Sequence, residues 1–328
     1  MERDIAVSIV CDAYNHEKYI ARCLDGFIMQ KTSFPFEVLV HDDASTDKTA
    51  DIIREYEKKY PDLIKPVYQT VNQYTRGGIE QFQYPRVKGK YIAMCEGDDY
   101  WTDPLKLQKQ YDAMEANPDV DICAHDAVMW DEQQGKEIRH IAPRDADGVI
   151  PVEDVIWGGG GFVATCSVFY KSELHHQFPP FRQMSDLDYY VQIHGALRGG
   201  MLYLHECMSV YRYLTASSWS LAARKNPARI MANLEEMEKI MHQLDLDTEG
   251  KYSGIIQKTM LNRRFHDYRG LNMCKELLKP QYRPFMNELS PKERLKIYVK
   301  ACFPFLGEIS VFLQNGLRSC LRGGKAPE

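Results

Sequence analysis

Ala6-Val7-Ser8-Ile9-Val10-Cys11 is a strand-like run that passes at once into the polar loop Asp12-Ala13-Tyr14-Asn15. The same transition recurs three times before residue 100. Phe36–His41 leads into Asp42-Asp43-Ala44-Ser45, Ile64–Gln69 into a loop reaching Tyr74, and Tyr91–Cys95 into Glu96-Gly97-Asp98-Asp99. Between the first two runs Ile20, Leu24, Phe27 and Ile28 recur at helical spacing, which predicts an amphipathic helix with one face on a sheet. Between the second and third, Ser45 or Asp47 is a candidate cap for a helix bearing Ile52, Ile53, Tyr56 and Tyr60 and ending at Pro61. A further helix opens near Asp103-Pro104 and runs to about Asn117-Pro118. Short β-rich runs alternating with helices are the pattern of an α/β fold with a mainly parallel sheet. Parallel strands place their carboxyl ends on one edge, so the four loops converge where such sheets bind ligands.

Beyond Val120 the texture is mixed, with a strand expected over 121–128, a helix near 152–157, the run Gly158–Gly161, and a strand over 162–170. After Trp219 only helical segments follow, such as 230–244 and 255–268, broken by Pro280, Pro284, Pro291 and Pro304. A boundary near Leu221 divides a first domain, 1–221, from a helical C-terminal extension, 222–328.

The chain has 328 residues, enough for one α/β domain with an appendage or for two ordinary domains. With 44% hydrophobic, 11% aromatic and 27% charged residues it has the composition of a folded globular protein. Its 41 Lys and Arg against 46 Asp and Glu leave a net charge of −5, which argues against a general electrostatic grip on nucleic acid. Nine cysteines occur without a CxxC pair and mostly inside apolar runs, the usage expected of reduced thiols in a cytoplasmic protein. No signal-peptide core follows Met1. The longest late apolar stretch, 301–313, contains Pro304, Gly307 and Glu308 and falls short of the ~20 residues that span a bilayer.

The loops carry the chemistry. Glu96, Asp98 and Asp99 crowd three like charges into one turn, which is unfavourable unless solvent or a cation neutralises them. Oxygen-only ligands suit Mg²⁺ or Mn²⁺ shared with substrate phosphates, and Asp98 and Asp99 are the candidate metal ligands; the bland alternative is a solvated acidic turn. Asp42 and Asp43 stand before a helix, where capping explains one of them but not both. A carboxylate at a strand end can instead accept a base N–H while Tyr14 stacks on the base. Asn72 and Arg76 are either plain loop residues or contacts to phosphate or base.

These segments in order, Val7–Asn15, His41–Thr49 and Glu96–Trp101, resemble the successive nucleotide-sugar motifs of family 2 glycosyltransferases, with the GT-A fold, over roughly residues 5–220. The resemblance implies that Asp43 contacts uracil beside Tyr14, with Ala13 and Asn15 in the same loop, and that the acidic cluster of Glu96, Asp98 and Asp99 serves as the DxD-type site for ribose and a divalent metal on the diphosphate. Ser185-Asp186-Leu187-Asp188 resembles the segment bearing the catalytic aspartate, with Asp186 at the matching position. Thr165–Tyr170 sits where the family forms its acceptor face, and Met208–Arg212 with Ser218–Ser220 resembles the motif that closes the domain. Two positions differ: Asp12-Ala13 stands where many relatives have Pro-Thr, and Leu214 where many have a His.

The resemblance implies inverting transfer from a UDP-sugar, with Mn²⁺ or Mg²⁺, to a glycan or polyprenyl-linked acceptor in the synthesis of bacterial O-antigen, capsule or exopolysaccharide. A nucleotidyltransferase would want a Gly-rich phosphate loop after the first strand, and Asp12–Glu17 contains no Gly. A non-catalytic sugar-nucleotide-binding scaffold of a polysaccharide assembly complex is the other reading. From Leu289 onward seven basic residues face three acidic ones amid an apolar background. That tail reads either as a peripheral membrane contact, placing the protein at the inner face of the plasma membrane, or as a segment packed on protein.

Overall fold

The structure is a computed structural model that describes residues 4–76, 78–176, 178–185, 187–213, 215 and 226–302. Asp186, Leu214, Ser218–Ser220, the boundary at Leu221 and the tail from residue 303 lie outside the described residues.

In chain order the first half runs β1 (Val7–Ala13), α1 (Ile20–Ile28), β2 (Phe36–Asp42), α2 (Thr49–Lys59), β3 (Ile64–Tyr68), α3 (Glu80–Gln83), β4 (Tyr91–Met94), β5 (Tyr100–Trp101) and α4 (Lys106–Ala116). Then come β6 (Ile122–Asp131), β7 (Lys136–Ile141), β8 (Gly148–Ile150), α5 (Val152–Gly158), β9 (Phe169–Lys171), α6 (Pro180–Gln183), α7 (Asp188–Ala196) and β10 (Met201–Tyr213). The strands form one sheet in the order β3-β2-β1-β4-β9-β6-β10-β5, with β7 on β6 and β8 on β10. The expected runs of the first half are all strands. β1 pairs in parallel with β2 from Val7↔Phe36 to Ala13↔Asp42 and with β4 from Val7↔Tyr91 to Val10↔Met94, and β2 is parallel to β3. Their carboxyl ends therefore share one edge, and the loops after β1, β2, β3 and β4 meet there.

Direction mixes on the other side. β9 is antiparallel to both β4 and β6, whereas β6 and β10 run in parallel over Met201↔Ile122 to Tyr213↔Asp131. The strand expected over 162–170 is shorter than the sequence predicts, because Thr165–Ser167 folds into a 3₁₀ turn and only Phe169–Lys171 pairs. The Ser167 hydroxyl donates to the Ala164 carbonyl at 2.7 Å and the Trp101 indole donates to the Cys166 carbonyl at 2.9 Å. Those bonds give the backbone partners that a strand ladder would otherwise supply.

Helix α1 buries Ile20, Cys23, Leu24 and Phe27 on the sheet, joining a core that includes Val7, Val38, Ile53, Trp101 and Leu107. Phe27 meets Trp101 edge-on with ring centroids 4.7 Å apart. Asp47, not Ser45, serves the start of α2, accepting the Thr49 N–H at 2.9 Å; the Ser45 hydroxyl oxygen instead accepts the Asn15 N–H at 3.0 Å. Asp103 accepts the Leu105 N–H at 2.8 Å, so α4 opens two residues beyond Pro104. Gly89 lets the chain pass beside β1, since a Cβ there would stand 2.4 Å from the Ser8 nitrogen.

Helices α8 (Pro227–Asp247), α9 (Ser253–Gly270), α10 (Arg283–Glu288) and α11 (Pro291–Cys302) complete the described chain. The described residues fall into two compact units, one drawn from 4–215 with 240–255 and one from 226–239 with 256–302. Within the second, Phe265, Leu277, Tyr282, Phe285, Met286 and Ile297 form a separate apolar core. Among the described residues all eight cysteines are free, and no helix is long and apolar enough to cross a membrane.

Candidate active site

The loop after β4 carries Glu96, Asp98 and Asp99, whose carboxylates each bring an oxygen within 4.8 Å of the others. Gly97 makes that turn possible, because a Cβ there would lie 2.9 Å from His16 Nδ1 and 3.1 Å from the Ala13 Cβ. The three acids have different surroundings. Glu96 is reachable by solvent yet walled by protein, and its carboxyl is pushed up to about 8, by burial first and then by Asp98, Asp188 and Asp12. Asp98 accepts the Thr215 hydroxyl at 2.9 Å and lies 3.9 Å from His16 Nε2. Asp99 is fully buried, accepting the Arg212 N–H at 2.7 Å on one oxygen while the other has no partner. Burial, then Asp98 and Glu96, push it well above the carboxylate range.

Arg212 anchors the turn. Its guanidinium donates to the Asp98 carbonyl, lies 4.5 Å from the centre of the Tyr100 ring and 5.0 Å from that of Tyr19, and stands 3.5 Å from Glu132. The loops after β1 and β2 are stitched to each other: Asn15 Oδ1 accepts the Thr46 N–H at 2.8 Å, and the Asp43 N–H donates to the Ala13 carbonyl at 2.9 Å. Asn15 and Ala44 both take left-handed backbone, at φ 57° and 60°. Asn tolerates this readily, whereas for Ala the conformation costs about 1 kcal/mol.

Asp43 is buried, and its two oxygens accept the Gln73 and Tyr74 N–H groups at 2.6 and 3.1 Å, while Asn72 Nδ2 donates to the Asp43 carbonyl at 3.3 Å. Each carboxylate oxygen retains a second lone pair. Tyr14 is 40% exposed on the rim beside it, and Arg76 is exposed at the end of the neighbouring 3₁₀ turn. The site residues Ala13, Tyr14, Asn15, Asp43, Asn72, Glu96, Asp98 and Asp99 thus gather at one edge of the sheet. Asp186 lies outside the described residues. Asp188, two residues on, accepts the Thr165 hydroxyl and its own helix's Tyr189 N–H at 2.7 Å, and burial raises it.

Several contributors escaped the sequence reading. His16 follows Tyr14-Asn15 directly, so position alone marked it; burial holds it below the usual imidazole range, against the opposing pull of Asp98 and Asp47. Gln83 gave no signal. Its buried amide donates to the Cys11 and Leu39 carbonyls and to Asp12 Oδ1 at 3.0 Å, bridging β1 and β2. Asp12, partly open to the cleft, is raised to about 6 by burial, with Gln83 opposing and Asp43 adding to the rise.

A parallel first half, a second half of mixed strand direction and an acidic cluster at the carboxyl edge of the parallel strands are the features of the GT-A fold. The family model for glycosyl transferase family 2 matches residues 8–186, and the chain belongs to that family. It is 36% identical over 216 residues to the uncharacterized protein Rv1520 of Mycobacterium tuberculosis strain H37Rv, covering 66% of this chain and 61% of that one. The chain thus spans about three-fifths of that relative's length. Over a shorter stretch of 95 residues, 29% of this chain and 15% of the other, it is 36% identical to a poly(ribitol-phosphate) beta-glucosyltransferase of Bacillus spizizenii. A crystal structure of S. aureus TarS 1–349 in complex with UDP-GlcNAc shares the fold, with a TM-score of 0.62 at 18% identity over 90% of this chain and 81% of that one.

Proposed function

We propose that the protein transfers a sugar from a UDP-sugar, with inversion and metal dependence, to a hydroxyl of a glycan or lipid-linked acceptor in the building of a bacterial surface polymer. The acidic turn at the carboxyl edge of the parallel strands carries this reading. TarS bound to UDP-GlcNAc supports the donor class, and the poly(ribitol-phosphate) glucosyltransferase supports a polymer acceptor.

A divalent ion fits the cluster on two counts. The donors are all carboxylate oxygens within reach of one another, and Asp99 buries an oxygen with no partner. Glu96, Asp98 and Asp99 would hold Mn²⁺ or Mg²⁺, which supplies neutralisation of the diphosphate charge. The protein's own groups do the rest. Tyr14 offers an open ring for the base, and Asp43 offers its free lone pairs to a base N–H. Thr215 and the Arg212 guanidinium keep the Asp98 side chain and carbonyl in place, so the carboxylate is oriented before substrate arrives. The acceptor oxygen attacks the anomeric carbon while the bond from that carbon to the diphosphate oxygen breaks, and the hydroxyl proton passes to a carboxylate. By its place in the Ser185–Asp188 segment that carboxylate is Asp186. The apolar, basic tail is read as a peripheral docking segment that brings the site to a lipid-linked acceptor.

The test is release of UDP from UDP-sugars with Mn²⁺, with chelator, and in Asp98→Asn. We expect turnover only with metal and wild-type Asp98, with the variant's melting temperature unchanged. Equal turnover in chelator, or in Asp98→Asn, overturns the reading.

A further inference from the structure

Asp126 on β6, His140 on β7 and Cys207 on β10 bring one ligand atom each within 4.8 Å of the others, outside the acidic cluster. The sheet itself assembles them. Cys207 is the register partner of Asp126, and His140 pairs with Val128 on the opposite side of β6. Register shifts flank Cys207 on both sides, between Leu204 and Cys207 and between Cys207 and Ser209. A bulge of that kind re-aims a side chain at the expense of ladder bonds. The Cys207 thiol makes a long contact, 3.8 Å, to the Ser209 carbonyl.

The second observation is at Asp126. Its side chain is only 8% exposed; one oxygen lies 2.6 Å from His140 Nδ1, and the other is buried with no hydrogen-bond partner. A buried carboxylate oxygen without a partner is costly, and an ion–imidazole pair alone leaves that cost standing. His140 is nearly half exposed, which opens a path from solvent. Glu137 lies 3.7 Å from the far ring nitrogen, the side from which a carboxylate orients a metal-binding imidazole.

We propose that Asp126, His140 and Cys207 form a binding site for a thiophilic divalent ion of the Zn²⁺ class, which ties the three strands together. The donor set selects the ion. Imidazole with thiolate suits Zn²⁺ and disfavours Mg²⁺ and Ca²⁺, the reverse of the all-oxygen cluster after β4. Bonds of ~2.0–2.3 Å to one ion keep ligand atoms within ~4.6 Å of each other, which atoms already gathered within 4.8 Å can meet with small side-chain adjustments. On binding, the Cys207 thiol proton leaves to solvent. Thiolate and carboxylate then match the 2+ charge with His140 neutral, and water completes a tetrahedron.

The experiment uses the full chain, stripped with chelator and titrated with Zn²⁺ in excess Mg²⁺, with Co²⁺ as a chromophoric probe. We expect one tight Zn²⁺ per chain and a thiolate-to-cobalt charge-transfer band. His140→Ala should weaken Zn²⁺ binding at least about tenfold. Cys207→Ser should abolish the band, while Glu96→Gln keeps it. No Zn²⁺ binding in excess Mg²⁺, unchanged affinity in His140→Ala, or a band that survives in Cys207→Ser overturns the proposal. Should Cys207→Ser fail to fold, the half-exposed His140 variant still decides, with its metal-free melting temperature as the control.

Discussion

Asp12 shows how a single side chain ties the site to pH. Its folded carboxyl sits at about 6, above the ordinary 3.8, so the folded state binds the proton more tightly than the unfolded chain. The resulting stabilisation is complete below 3.8 and is lost as pH rises through 6. Asp12→Asn keeps an oxygen for the Gln83 amide and removes the titration. Thermal melts should therefore show the variant gaining on wild type between pH 4 and pH 7; a constant difference across that range would refute the assignment. Asp186 and Asp188 make the second test at this scale. Asp188 is engaged by Thr165 and by the start of its own helix, a positioning arrangement. Asp186→Asn should remove ~10²–10⁴ of the turnover with donor affinity unchanged, while Asp188→Asn should lose less. The reverse ranking would move the base to Asp188. Position in a motif pointed to Asp186; the hydroxyl that holds Asp188 is 23 residues away and no local pattern announces it.

At the scale of elements, the acidic turn depends on Gly97. A Cβ there would press on His16, Ile20 and Ala13, at 2.9, 3.0 and 3.1 Å, from the end of β1 and the loop and helix that follow it. Gly97→Ala should cost about 1–3 kcal/mol by overpacking and should also lower metal-dependent transfer, since His16, one of the groups displaced, stands 3.9 Å from Asp98. Denaturant melts and UDP-release assays on the same preparation check this, and full activity in Gly97→Ala would show the turn to be tolerant. The parallel strands and α1 were legible in the sequence because apolar spacing is a local property. The 162–170 segment was not. Its residues are buried on nearly every side, so their apolar run carries no period by which turn and strand differ.

For the whole molecule, the C-terminal region bears on where the protein works. Ile297 and Ala301 of α11 are buried in the second unit's core, so a truncation that tests the tail belongs after Cys302, beyond that helix. Full-length protein should float with anionic vesicles at low salt and be released as ionic strength rises, since each nearby Lys or Arg contributes ~1 kcal/mol that salt screens. The truncated chain should stay in the soluble fraction. Flotation of the truncated chain, or none of the full-length protein, would make the tail a packing segment.

From sequence alone came the alternation of runs and helices, the convergence of four loops on one edge, and the residue types of the acidic turn. Each depends on neighbours within a few positions, where period and chemistry are written directly. Only the tertiary structure distinguished the three acids by burial, set Arg212 of β10 against Asp98 and Asp99, and brought Asp126, His140 and Cys207 together across three strands. Those relations join residues far apart in the chain, and desolvation and strand register, which decide them, exist only once the sheet has closed around them.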